Sequence, residues 1–142
     1  MAVVYFDASA LVKLVVDELG SDIAAALWDG CDAAVSSRLA YPEVRAALAA
    51  AGRNHVLDET SLARCENDWE GFWAAMRPVE LTRNVQMAAG QLAKRHSLRG
   101  ADAVHLASAL ELGVSDLVMA VWDRRLHDGA VAENLAVAPS SV

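Results

Sequence analysis

The chain has 142 residues, with 12 Lys and Arg against 19 Asp and Glu, a formal net charge of −7. That length holds one domain with a single sizeable core, and the acidic balance argues against a broad basic face that grips nucleic acid by counterion release. It leaves nucleic acid open as a substrate, because metal ions can carry the positive charge at a phosphate. Apolar residues make up 55 % of the chain, yet charge interrupts them before any stretch long enough to span a bilayer. There is no basic start followed by a long apolar segment, as a secretory leader requires. Cys31 and Cys65 form no C-x-x-C pair, so two free thiols in a cytoplasmic protein are expected.

Strand-length apolar runs alternate with segments of helical period, the pattern of parallel α/β packing. Val3 to Phe6 reads as a strand and Asp7 to Val16 as a helix, with Leu11, Leu14 and Val15 at helical spacing. Gly20 interrupts, and Ser21 or Asp22 is placed to cap a short helix through Trp28. A second strand spans Ala33 to Ser36, followed by an Ala-rich helix carrying Glu43, Val44 and Leu48 and stopped by Gly52. Pro42 is either near the start of that helix or a kink within it. Asp58 to Met76 is a longer helix, in which Trp69 and Trp73 read as core or interface anchors. Pro78 to Leu81 is a short strand candidate, and Thr82 to His96 and Ala101 to Leu112 are two helices. The strand Leu117 to Trp122, a helical segment at Arg124 to Ala130 and an edge strand at Leu135 to Val137 complete the pattern. The reading is one α/β domain over residues 1–142, a central, mainly parallel sheet flanked by helices, with 136–142 as edge strand and loose tail.

The acidic residues fall at particular places in that pattern. Asp7 directly follows the first strand and Asp123 the run Leu117 to Trp122, while Glu43 lies shortly past the second strand and Asp102 opens the segment Ala101 to Leu112. Singly, each has an ordinary explanation: Asp7 and Asp102 as helix caps, Glu43 as a solvent-facing helix residue, Asp123 as a turn residue. Parallel sheets, however, gather whatever follows each strand at one edge, which would bring all four together. Carboxylates so gathered repel unless something positive sits among them. Mg²⁺ or Mn²⁺ is the first candidate, since both favour oxygen ligands. Such an ion acidifies a bound water and stabilises charge on a leaving oxygen, without a nucleophilic side chain or an organic cofactor.

These residues also carry a resemblance. Asp7-Ala8-Ser9-Ala10-Leu11 resembles the opening D-x-S-x-L stretch of PIN-domain proteins, and Ser36 to Arg45, with Glu43, resembles their second acidic motif. Leu98-Arg99-Gly100-Ala101-Asp102-Ala103-Val104-His105-Leu106-Ala107 is close to the third and most specific motif, and Trp122-Asp123-Arg124-Arg125 resembles the fourth. The motifs fall in the family's order along nearly the whole chain. The small single-domain form is most similar to the VapC-type toxins of toxin–antitoxin operons. The resemblance implies a PIN fold and an endoribonuclease dependent on Mg²⁺ or Mn²⁺, commonly a homodimer, acting on RNA and held inactive by a VapB-like antitoxin. It assigns Asp7, Glu43, Asp102 and Asp123 to the catalytic site. Asp7 and Asp102 are direct metal ligands in that assignment, Glu43 holds a water at the metal or a second ion, and Asp123 acts through water. Ser9 supports Asp7 by a hydrogen bond, and Arg99 and Arg124 are the substrate-binding candidates. The sequence departs from the pattern at Val121, where many members carry Thr or Ser, which bears on the geometry of Asp123.

The alternative keeps the fold without catalysis: a binding module whose acidic pocket takes metal or a partner's arginine. An aspartyl-phosphate phosphatase is disfavoured, because Ser9 stands where that chemistry places a second Asp. His105 shares a helix face with Asp102 but reads as a packed residue, and His127 as a surface histidine. Arg38, Arg45 and Arg125 lie near the acidic motifs and are expected mainly in ion pairs. The helices at Ser21 to Trp28 and Asp58 to Met76 carry surplus apolar surface suited to a dimer seam or an antitoxin groove.

Overall fold

Val3 to Phe6 form β1, and all four residues are buried, as a strand covered on both faces requires. The computed structural model describes residues 2–142. β1 is followed by α1 (Ala8–Val15), α2 (Ser21–Gly30), β2 (Ala33–Ser37), α3 (Ala40–Arg53), α4 (Glu59–Ala74) and β3 (Arg77–Val79). The chain then makes α5 (Arg83–His96), α6 (Gly100–Glu111), β4 (Val118–Ala120), α7 (Arg124–Ala132) and β5 (Ala136–Ala138). The strands form one five-stranded sheet in the order β3-β2-β1-β4-β5, and every neighbouring pair is parallel.

Alternation along the central strands divides the core in two. Val3 and Tyr5 of β1, with Val35 and Met119, pack under α5, α6 and α7 against Val85, Leu92, Leu106 and Leu126. Val4 and Phe6, with Ala34 and Ala120, pack under α1, α3 and α4 against Leu11, Val44, Leu48 and Trp69. Trp69 is fully buried and Trp73 packs beside it at a ring separation of 5.7 Å. Trp69 is a core anchor, and Trp73 is partly buried at the margin of the same core. Two of the surplus apolar residues are likewise inward, with Trp28 edge-on to Phe72 at 4.9 Å.

The expected elements are all present, and their boundaries shift for identifiable reasons. Pro42 lies in the first turn of α3, where a missing N–H costs nothing. Gly52 does not stop α3, which runs to Arg53; a Cβ at Gly52 would come within 2.8 Å of Leu62 Cδ2, so the glycine marks the close approach of α4. The short strand at 78–81 moves back to Arg77–Val79, where its pairing with Val35 to Ser37 fixes it. Neither Ser21 nor Asp22 caps α2. Gly20 takes that place at φ 93°, and the Ser21 hydroxyl instead donates to the Val16 carbonyl oxygen at 2.9 Å. Among the described residues no helix is long and apolar enough to cross a membrane.

Gly20 is held by two constraints at once, its left-handed backbone and the Trp122 indole, which a Cβ would approach to 2.8 Å. Gly20→Ala is therefore expected to destabilise the protein by about 1–3 kcal/mol in urea unfolding. Gly90→Ala, inside α5 with open space at the Cβ position, is the contrast and should be neutral or stabilising by up to about 1 kcal/mol.

Candidate active site

β1 lies between β2 and β4, so the chain leaves it at the point where strand order reverses, the position at which open parallel sheets form a crevice. Asp7 is the first residue beyond β1. Its backbone N–H donates to the Ala120 carbonyl oxygen of β4 at 3.2 Å, and its side chain caps α1, accepting from Ala10 N at 2.9 Å. The Ser9 hydroxyl lies 2.7 and 2.9 Å from the two carboxylate oxygens, the support expected of it. Asp7 is only 3 % exposed. Burial pushes its pKa up to about 6; the nearby Asp102 charge adds to the rise, while His105 when protonated, Ser9 and Ala10 N–H oppose it.

Asp123 caps α7, accepting from Leu126 N at 3.0 Å with Oδ1. Its Oδ2 lies 3.3 Å from Arg99 Nη2. Asp102 lies in the first turn of α6 rather than at its cap, where Arg99 stands, and Asp102 Oδ2 accepts from Arg99 Nε at 2.9 Å. One guanidinium thus joins the third and fourth acids. The hydrogen bond to Asp102, with the charges of Asp102, Asp123 and Glu43, holds Arg99 above its ordinary value. Arg99 was expected to meet substrate; in the structure it balances two carboxylates, from a largely exposed position.

Glu43, in the first turn of α3, accepts from His105 Nε2 at 2.6 Å with Oε1. His105 Nδ1 is in turn 2.7 Å from the Tyr5 hydroxyl, which accepts the Ser37 N–H at 3.0 Å. His105 is packed, as its apolar neighbours implied, but it also contacts an acidic motif residue. Burial raises the Tyr5 pKa, so the hydroxyl keeps its proton. Sequence reasoning missed this pair. Tyr5 is 100 positions from His105, and nothing in local spacing marks the contact.

The other expectations divide. His127 is buried rather than on the surface, its Nε2 2.8 Å from the Pro139 carbonyl oxygen; the tail after β5 folds back over α7 and covers it. Arg38 pairs with Glu80, and Arg45 with Glu66 and Glu70, as ion pairing predicted. Arg124 and Arg125 are exposed and unpaired among the described residues. Val121 is fully buried in the core under α5, α6 and α7, and Asp123 is held by Leu126 N and Arg99 without a hydroxyl at that position. Cys31 and Cys65 are free thiols.

Arg99 joins Asp102 and Asp123, the charges of Asp7 and Asp102 are coupled, and Glu43 is tied to His105 on the same helix as Asp102. The donor set of these four acids is wholly oxygen, which fits Mg²⁺ or Mn²⁺ and is poor for softer ions. Among the described residues no three acidic, His or Cys groups form a closed cage.

Residues 4–129 match the family model described as PIN domain. The chain is 68 % identical over 142 residues to Ribonuclease VapC49 of Mycobacterium tuberculosis, covering 100 % of this chain and 99 % of that one. Among solved structures, FitAcB from Neisseria gonorrhoeae has a TM-score of 0.69 at 17 % identity, covering 94 % of this chain and 95 % of the other. A toxin-antitoxin complex from Klebsiella pneumoniae gives 0.68 at 16 % identity over 100 % of both chains. At such identities these two establish a shared fold. The chain belongs to the PIN-domain family and, within it, to the VapC proteins.

The raised Asp7 pKa has a signed consequence for stability. The unfolded chain ionises Asp7 near 3.8 and the fold only near 6. The cost of burying the charge therefore grows between those values, is full above the upper one, and is absent below the lower. Its size is on the order of 3 kcal/mol. In metal-free protein, Asp7→Asn is expected to raise stability by about 1–3 kcal/mol near pH 7.5 and to bring no gain below about pH 4. Urea titrations at both pH values check this.

Proposed function

We propose that this protein is a divalent-metal-dependent endoribonuclease, the toxin of a toxin–antitoxin pair. The observation that supports the proposal is the end-to-end match to a named ribonuclease, together with Asp7 at the crevice beside β1 and the Arg99 bridge between Asp102 and Asp123. In this reading Asp7, Glu43, Asp102 and Asp123 are catalytic, and Asp7 and Asp102 hold Mg²⁺ or Mn²⁺. When bound, the ion acidifies water and stabilises the charge that develops on the leaving oxygen.

The chain's own residues do the rest. Ser9 and the Ala10 N–H fix the Asp7 carboxylate, so that its charge is presented without a rotamer search. Glu43 uses Oε1 on His105, which leaves its other oxygen without a protein partner among the described residues. That oxygen accepts the proton lost by the attacking water as the new bond to phosphorus forms and the bond to the leaving oxygen breaks. Arg124 is free to meet the RNA backbone. Arg99, exposed and tied to Asp102 and Asp123, contributes positive charge at the same edge. Such contacts position a phosphate without reading sequence.

A homodimer, a VapB-like antitoxin partner and a cytoplasmic setting belong to the same proposal. The resemblance to VapC-type toxins supports the first two, and the two free thiols accord with a reducing compartment.

Purified, partner-free protein should cleave a structured RNA with Mg²⁺ or Mn²⁺ and not with EDTA. Asp7→Asn and Asp102→Asn, folded by circular dichroism, should each reduce cleavage at least about 100-fold. Retained cleavage in both variants would remove these residues from the site. Absence of cleavage by folded, metal-loaded wild type across varied RNAs would favour the binding-module reading. Light scattering is expected to give twice the mass of one chain, and a concentration-independent monomer would refute the dimer.

A further inference from the structure

The contact between Glu43 and His105 is the end of a buried chain that crosses four elements. It begins at the Ser37 N–H at the end of β2, whose donation to the Tyr5 hydroxyl spans 3.0 Å. It passes to His105 Nδ1 on α6 at 2.7 Å, and from His105 Nε2 to Glu43 Oε1 on α3 at 2.6 Å. Tyr5 is fully buried and His105 is 1 % exposed. The Tyr5 ring stands edge-on to the imidazole, 5.8 Å between centroids at 76°.

One assignment with a neutral histidine satisfies every donor and acceptor of this chain. Ser37 N–H can only donate, so the tyrosine oxygen accepts there and has its own proton to give. His105 Nδ1 is the acceptor placed to receive it. Nε2 then carries the imidazole proton and donates it to the Glu43 carboxylate, which in its ionised form can only accept. Every link is satisfied with a neutral histidine, and the tautomer is fixed by the hydrogen bond made at the opposite nitrogen.

We propose that Tyr5 and His105 form a positioning relay that locks the Glu43 carboxylate in one orientation and leaves its second oxygen turned to the site. The proposal rests on the reading of Glu43 as a site acid. Neither Tyr5 nor His105 touches substrate in it; both act through Glu43. The physical need is plain. Glu43 lies on the first turn of its helix with a flexible side chain, and the N–H of His105 removes that freedom in advance of substrate binding. Anchoring of a functional carboxylate by a buried neighbour is commonly worth ten- to a hundredfold in activity.

The test has an arm that needs no catalysis. Long-range ¹H–¹⁵N spectra of histidine-labelled, EDTA-treated protein should show His105 as the Nε2–H tautomer, with its proton slow to exchange. In Glu43→Ala that proton should exchange rapidly, and in Tyr5→Phe the Nδ1 resonance should shift as its donor is lost. An Nδ1–H tautomer, or a proton indifferent to Glu43→Ala, overturns the relay whether or not the protein cleaves RNA.

The second arm is a double-mutant cycle on cleavage. His105→Ala is expected to lower kcat about 10- to 100-fold with KM unchanged. His105→Gln, which can donate to Glu43 through its amide, should recover much of the loss. In a Glu43→Gln background, His105→Ala should add little, because its effect passes through Glu43. Independent, multiplicative losses, or a fall in thermal stability of His105→Gln that accounts for its loss of activity, would make His105 a structural residue only. If wild type itself cleaves nothing, the ribonuclease reading fails while the spectra still decide the relay.

Discussion

The site depends on the placing of β1 between two parallel neighbours. Its residues are buried on both faces, Val3 and Tyr5 toward one core and Val4 and Phe6 toward the other. The next residue must leave the sheet at its carboxyl edge, and that residue is Asp7. Burial of a large apolar side chain contributes about 1.5–3 kcal/mol, so the residues of β1 together exceed the cost, on the order of 3 kcal/mol, of desolvating Asp7. The fold can therefore hold a carboxylate where an isolated one would not stay ionised. Ser9 and the first turn of α1 are what keep that cost from being larger, through the hydroxyl, the Ala10 N–H and the favourable end of the helix dipole.

Charge balance follows from that placement. Among the described residues one guanidinium is hydrogen-bonded to the motif acids, Arg99, shared between Asp102 and Asp123. Because Arg99 is largely exposed, solvent screens this bridge and it is a weak tie. The imidazole of His105 adds direction to Glu43. Arg99 offsets only part of the negative charge of these acids, and in the proposed reading a hard cation supplies the rest. The acidic sequence that argued against a basic RNA-binding face is consistent with this arrangement, since positive charge at the phosphate would come from the ion and from a few arginines.

The two cores serve different parts of the site. The core under α1, α3 and α4 fixes Asp7 and the start of α3 by packing Leu11, Val44 and Leu48 against the sheet. The core under α5, α6 and α7 fixes Asp102, His105 and Asp123 through Leu106 and Leu126. Glu43 is where they meet: its helix belongs to one core and the histidine that orients it to the other. A shift between the layers would be felt there first.

Alternating apolar runs and helical periods determined the element order, the parallel sheet and which strand or helix each of the four acids follows or opens, because these follow from local periodicity and from the single exit each strand offers. Capping was less legible: Ser21 and Asp22 have capping chemistry, yet Gly20 starts α2 because Trp122, 102 residues away in sequence, packs against its backbone. The same holds for His127, which a tail far along the chain covers, and for Arg99, whose partner Asp123 is 24 residues away. Tyr5, His105 and Glu43 lie on three elements, and only tertiary packing decides that their polar atoms meet. Local sequence sets which surface a residue presents; a hydrogen bond between distant segments depends on the docking of whole elements to within a fraction of an ångström, and no spacing along the chain records it.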